Sequence, residues 1–549
     1  MAVGLIRSEL LTLLYPHSTP MRRRTFLSTV GALAASPATR LVRASQTGRQ
    51  ADLLLRNGRV CTGTSSVLEP GGLAIRRGRF VAVGDVSGWS ASREIDVGGQ
   101  VMAPGFIDVH SHAAEGLVRP TLHKAHALLA QGITTVVVNP DGGGPVDLDG
   151  QRTTLMARGL GVHVALLIGH GAVRASVLQH ENRQPSAREL ERMGTLVDAG
   201  LAAGAFGLSS GLFYAPGHFA RTEELVSLMT RVARVGGLHT SHIRDEGTYS
   251  VGLVAAVDEI IAIAEATATT GVVSHMKALG PDAWGLSQTC IRRIEDARRR
   301  GVAIYADQYP YEASSTSLAA AVVPRGVQAG GRAALLATLG DAAQRAALLP
   351  QVRENIRRRG GADSLVIAFH PPDRTYEGLS LAQIAERRGT DPATAALDLI
   401  VVRDPLIVSF NMAMDDIDAL MVQPWMMTSS DGAIFLPGEG RPHPRGHGAF
   451  TRKLTTFVRE RQLLSLPAAI AGMTRLPANV FGLTDRGRLE PGAMADLVVF
   501  APEHLDDRAT YTDPHQLAGG MSLVLVEGIP AIDEGTFTDR LAGRVLRRQ

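Results

Sequence analysis

The chain has 549 residues, 45% of them hydrophobic and 20% charged, the balance of a globular protein with enough material for a large core. Its formal charge is +3, but residues 1–44 carry Arg7, Arg22, Arg23, Arg24, Arg40 and Arg43 against Glu9 alone; without that surplus of five the body stands at −2, which removes any electrostatic case for nucleic acid. No run of about 18 apolar residues is present, so no membrane span is expected.

Residues 1–44 read as a targeting segment. Arg23-Arg24-Thr25-Phe26-Leu27 follows the twin-arginine pattern, a weakly apolar stretch runs from Phe26 to about Ala35, and Val42-Arg43-Ala44 offers small residues for cleavage. Met21, directly before the arginines, is an alternative start. The expected address is periplasmic or secreted, with the twin-arginine export machinery as a partner. That route carries folded proteins, which suits an enzyme that takes up metal before export. A disordered basic tail is the bland alternative. Cys61 and Cys290 lie far apart and read as packing residues.

Residues 45–103 alternate short apolar runs with Gly-rich turns, as in Leu73-Ala74-Ile75 and Phe80-Val81-Ala82-Val83, which predicts small antiparallel strands. The segment 476–549 repeats the style in Asp496-Leu497-Val498-Val499-Phe500 and Leu523-Val524-Leu525-Val526. The two ends are expected to pair into one small β-sandwich domain.

Between them, residues 104–475 alternate strand and helix. Strands are expected at Phe106–Val109, Thr134–Val138, Val162–Ile168, Phe206–Ser209, Leu238–Ile243, Val272–His275, Val302–Ala306 and Met426–Ser429. Ser186-x-x-Glu189 is a capping box that opens a helix. Thr222-Glu223-Glu224 opens the next, and long amphipathic helices follow over Val251 to Thr269 and Leu286 to Arg300. Eight alternating units argue for an α/β fold of the (β/α)8 TIM-like barrel type. An Ala- and Arg-rich stretch, about 312–425, separates the seventh and eighth strands. It reads as a mostly helical insertion on the active-site face, a lid or substrate-shaping element.

The polar residues fall where a barrel places its chemistry, at the C-terminal ends of strands. His110 and His112 end the first strand, in Gly105-Phe106-Ile107-Asp108-Val109-His110-Ser111-His112. Side chains two apart on a strand share a face, so both imidazoles can meet one metal. Asp141 follows the second strand, His170 ends the third, His242 the fifth, His275 the sixth, Asp307 the seventh and Asp431 the eighth. Singly, each is as well explained as a surface polar residue. Together they point to a metal hydrolase site.

The set His-x-His, His242, His275 and Asp431 resembles the amidohydrolase superfamily. The words Ser241-His242-Ile243-Arg244-Asp245-Glu246, Ser274-His275-x-Lys277, Asp307-Gln308-Tyr309-Pro310-Tyr311, Ser430-Asp431-Gly432 and His443-Pro444-Arg445 are similar to the D-aminoacylase (N-acyl-D-amino-acid deacylase) group. The resemblance implies a hydrolase acting on carbon–nitrogen bonds other than peptide bonds, with a small-molecule amide as substrate. It implies one or two Zn2+ ions on His110, His112, Asp141, His242, His275 and Asp431, with Asp431 as the proton shuttle. One departure stands out: the group's usual cysteine after strand two is replaced here, in Asn139-Pro140-Asp141-Gly142, by Asp141. A hard oxygen ligand loosens the preference for zinc over Mn2+ or Co2+. The fourth strand also lacks a lysine that could be carboxylated as a bridge. Substrates of the group carry an α-carboxylate, for which Lys277, Arg445 and Tyr309 are the expected partners. His447 stands where the group tends to have a tyrosine.

Two alternatives stay open. One is a cyclic amidase of hydantoinase or dihydroorotase type, or an isoaspartyl-type dipeptidase. The other is a non-catalytic, metal-bearing periplasmic binding protein. The oligomeric state is not legible.

Overall fold

The computed structural model describes residues 49–63 and 67–548; the expected targeting segment lies outside them. Eight parallel strands form the frame: Phe106–Asp108, Ile133–Val138, His163–Leu166 continued by Ile168–Gly169, Gly207–Gly211, Leu238–His242, Thr270–Val273, Ile304–Gln308 and Met426–Thr428. Each overlaps its expected segment. The strands pair in chain order as a three-stranded and a six-stranded set, which divide at the third strand. Past the last strand, Asp431 N donates to His110 O and His112 N to Gly432 O, both at 2.9 Å, so the end of the eighth strand is tied to the end of the first.

Ile107, Val137, Leu167, Phe206, Leu238, Val272, Tyr305 and Met427, drawn from or beside all eight strands, share one apolar cluster. Burying such side chains contributes about 1.5–3 kcal/mol each. Helices cover the outside. In Ala187–Ala202 the capping box is formed, and Met193 and Val197 face the core. The helix expected over Val251 to Thr269 runs from Leu253 to Thr267, ended by left-handed Ala268, and Gly271 lies inside strand Thr270–Val273.

Both chain ends build one nine-stranded sheet, in which Leu497–Phe500 pairs antiparallel with Val101–Pro104. Buried Asp496 sits at the junction. It accepts from Arg486 Nη1 at 2.8 Å and Glu527 N at 2.8 Å, and lies 3.3 Å from His163 Nε2. Not all of 476–549 belongs to this sheet. Helix Arg475–Phe481 and Leu546 join the apolar cluster beneath the parallel strands, and Leu546 N donates to Val164 O at 2.7 Å.

The insertion is mostly helical, as expected, but it also carries a small sheet. Its helices, among them Ala342–Arg358 and Pro392–Arg403, enclose a core of their own, but Ala313–Ser317, Leu406–Phe410 and Leu365–Phe369 form an antiparallel sheet within it. Leu365-Val366-Ile367-Ala368-Phe369 is a short run buried mostly on both faces, and such a run has no alternation to separate it from helix.

Candidate metal centre

The four histidines and two aspartates expected to share an ion converge. Asp141 Oδ1 lies 3.3 Å from His110 Nε2, 3.4 Å from His275 Nε2 and 3.8 Å from His242 Nδ1, while its Oδ2 lies 3.4 Å from His112 Nε2. Asp431 Oδ1 lies 3.1 Å from His112 Nε2 and 3.5 Å from His110 Nε2. His110 Nε2, Asp141 Oδ1 and both ring nitrogens of His242 are buried with no hydrogen-bond partner. Orphaned ligand atoms gathered in one buried cluster are what bound cations would satisfy.

Electrostatics point the same way. Burial opposes charge on His112, yet Asp141 and Asp431 outweigh it and lift the imidazole to about 9. His242, buried and less well compensated, falls to about 3 and is held neutral. The two carboxylates hold well below the usual range despite burial, Asp141 through His110 and Asp431 through Arg445.

Local backbone geometry is strained at three residues of the cluster. Asp141, His275 and Asp431 all adopt positive φ, at 56°, 36° and 48°. Such strain costs about 1–3 kcal/mol per residue and persists only where the surroundings impose it. The imposing contacts are visible. His275 N donates to Asp307 Oδ1 at 2.9 Å. Buried Asp108 accepts from Ser430 N at 2.9 Å and from Ser430 Oγ at 2.5 Å, joining the strands that carry His110 and Asp431. The Asp141 loop lies across two strand ends that need glycine there: a Cβ on Gly169 would fall 2.1 Å from Gly143 O, and one on Gly211 would fall 2.1 Å from Asp141 O.

That close approach explains Gly169-His170-Gly171 differently from the sequence expectation. The glycines make room for the loop, and His170 does not join the ligands. Its Nε2 lies 2.8 Å from Glu224 Oε1, away from the centre.

Sequence reasoning also missed Glu246 as a site residue. It lies four residues beyond His242, and its Oε1 lies 3.0 Å from His275 Nδ1 and 2.5 Å from Lys277 Nζ, which itself lies 2.7 Å from His275 Nδ1. A His275 Nδ1–H donated to Glu246 leaves Nε2 as the lone pair facing Asp141. Lys277 is thus engaged by an acid, as is Arg445, whose Nη1 lies 2.7 Å from Asp431 Oδ2. Both cations flank Tyr309: Arg445 stands 4.7 Å and Lys277 5.6 Å from its ring centre, and the Tyr309 hydroxyl has no partner. All three border the cavity of about 540 Å³ over the centre. His447 packs against His515 instead.

Residues 93–531 match the amidohydrolase family model. The chain belongs to the amidohydrolase family. Among curated relatives, an N-acyl-D-glutamate deacylase of Alcaligenes xylosoxydans xylosoxydans is 36% identical over 90% of this chain and 96% of its own length. Among solved structures, the N-acyl-D-glutamate deacylase of Bordetella bronchiseptica, complexed with zinc and a phosphonate that mimics the tetrahedral intermediate, is 34% identical. It has a TM-score of 0.77 and covers 91% of this chain and all of its own. A D-aminoacylase studied for its binuclear metal centre is 31% identical, with the same TM-score and coverage.

Proposed function

We propose that this amidohydrolase deacylates N-acyl-D-amino acids, releasing a carboxylic acid and a free D-amino acid. The observation that carries the reading is the convergence of His110, His112, Asp141, His242, His275 and Asp431 beneath a cavity walled by Lys277, Tyr309 and Arg445. Six donors exceed the four that one zinc takes. Asp141, with Oδ1 near His110, His275 and His242 and Oδ2 near His112, would be the residue that two ions hold in common. When bound, zinc supplies a Lewis acid and lowers the pKa of a water to about 7. A hard carboxylate at position 141 also admits manganese or cobalt.

The chain's own residues carry the rest. Asp431, kept ionised by Arg445, accepts a proton from the attacking water as the new C–O bond forms. It returns that proton to the leaving nitrogen as the C–N bond breaks. Arg445, Lys277 and Tyr309 hold the α-carboxylate and set the substrate's orientation.

We further infer that the eight strands close into a (β/α)8 barrel spanning about 104–475, and that the sheet from both chain ends folds as a small sandwich beside it. The apolar cluster shared by all eight strands and the Asp431–His110 backbone link support the closure. Twin-arginine export to the periplasm is proposed on the sequence alone. The cyclic-amidase alternative is weakened at strand Gly207–Gly211, which carries no lysine.

The test is zinc-loaded protein offered N-acetyl-D- and L-amino acids, hydantoins and β-aspartyl dipeptides. Free amine from the D-series alone supports the proposal. Turnover confined to hydantoins or dipeptides refutes it.

A further inference from the structure

The cations expected to hold the α-carboxylate each face an acid of the site. A third cation on the cavity wall faces none. Arg359, from the insertion just past helix Ala342–Arg358, lines the cavity and is 2% exposed. Its Nε donates to the Tyr249 hydroxyl at 2.7 Å, its Nη1 has no partner, and no ion pair forms between it and an acid among the described residues. Removing a guanidinium from water without a counter-charge is strongly unfavourable.

A second guanidinium shares the region. Arg325 stacks 3.7 Å over Phe213, which also lines the cavity, and its Nη2 is likewise without a partner. Tyr249 lies between the two, 5.1 Å from Arg325 and 5.8 Å from Arg359. The region therefore carries positive charge that the described residues leave unmatched. It is also held rigidly against the site. At Gly280, three residues past Lys277, φ is +87° and a Cβ would meet Arg358 O at 1.9 Å, so the loop beyond His275 abuts the backbone that carries Arg359.

Resting on the deacylase reading, we propose that Arg359 is a specificity residue that receives a second carboxylate of the substrate. The preferred substrates then carry, besides the α-carboxylate, an acidic side chain or an anionic acyl group. The hydroxyl-bearing strand Ala313–Ser317, which lines the same cavity through Ser315 and Thr316, supplies further donors.

The test compares zinc-loaded wild type with Arg359→Gln and Arg359→Lys on four substrates: N-acetyl-D-glutamate, N-acetyl-D-aspartate, N-succinyl-D-leucine and N-acetyl-D-leucine. The expected result is a kcat/KM at least tenfold higher for a dicarboxylate than for N-acetyl-D-leucine. Arg359→Gln should lower that ratio tenfold or more, through KM, and Arg359→Lys should restore part of it. A lead for the acetylated dicarboxylic amino acids places the anion on the side chain; a lead for N-succinyl-D-leucine places it on the acyl group. No preference in wild type, or an equal fall for all substrates in Arg359→Gln, overturns the proposal. Should Arg359→Gln not fold, Tyr249→Phe, which removes the acceptor that aims Nε, must lower the same ratio. Calorimetric binding of N-acetyl-D-glutamate separates the two claims. If no N-acyl-D-amino acid is hydrolysed, the deacylase reading fails, and Arg359-dependent binding still upholds, or its absence overturns, the assignment of Arg359.

Discussion

Glu246 is the residue whose replacement most sharply tests how the centre is held. Its carboxylate lies 3.0 Å from His275 Nδ1, the nitrogen turned away from the ligand cluster. An acid at that position fixes the tautomer, orients the ring and makes Nε2 more basic toward a metal. Losing such a partner costs about 10–100-fold in metal affinity, or roughly 1.4–2.8 kcal/mol. Glu246→Gln alone confounds this with a second effect, because it also strips the buried Lys277 of its counter-charge at 2.5 Å. A buried cation left unpaired destabilises by about 3–5 kcal/mol. Glu246→Gln/Lys277→Met removes both charges together, and with them both contacts to His275 Nδ1, so no buried charge is left unpaired. Zinc affinity, measured by competition with a chromophoric chelator, should fall about 10–100-fold in the double variant, which should melt closer to wild type than Glu246→Gln does. A double variant that binds zinc within about twofold of wild type would refute the orienting role.

Three further outcomes follow from the geometry. Asp431→Asn keeps the shape of the ligand but cannot accept a proton; kcat should fall by about 10²–10⁴-fold in steady-state assays at full metal occupancy, and a loss under tenfold would contradict its role. Gly169→Ala places a methyl 2.1 Å from Gly143 O, so the Asp141 loop must move and zinc affinity should drop; unchanged affinity would mean that the loop yields without disturbing Asp141. Buried Lys453, whose ammonium donates to Thr428 Oγ1 at 2.8 Å, is lowered by burial from 10.5 to about 8. That drop is worth about 3 kcal/mol. The unfolded chain binds the proton more tightly, so the cost is full below about pH 8 and fades as pH rises to 10.5. Lys453→Met should therefore unfold at higher urea than wild type at pH 7, by about 2 kcal/mol after the lost hydrogen bond, with the gap closing by pH 10.5; a less stable variant at pH 7 would sink this account.

The parts of the molecule that could be read in advance share one property: their signal is local. His110 and His112 sit two apart on a strand, and that spacing alone predicts a shared face. The strands and the Ser186 cap follow from periodicity and capping chemistry. Glu246 was hidden because, besides His242 four residues before it, it meets His275 just past the next strand, and only the fold brings those two together. Asp108 was hidden likewise, since its partner Ser430 is over three hundred residues away. His170 was counted among the polar strand-end residues because strand ends in a barrel carry chemistry, but its flanking glycines answer a backbone contact that sequence spacing does not encode. The sheet inside the insertion went unread because apolar strands buried on both faces have no alternation.

The central claim is that side chains from both ends of the parallel frame share metal through Asp141. It is tested most directly by metal analysis of purified wild type beside Asp141→Ala, after equilibration with zinc and removal of the free ion. The account predicts zinc bound by wild type and a clear loss in Asp141→Ala, with both proteins folded. Equal zinc content in the two would contradict it.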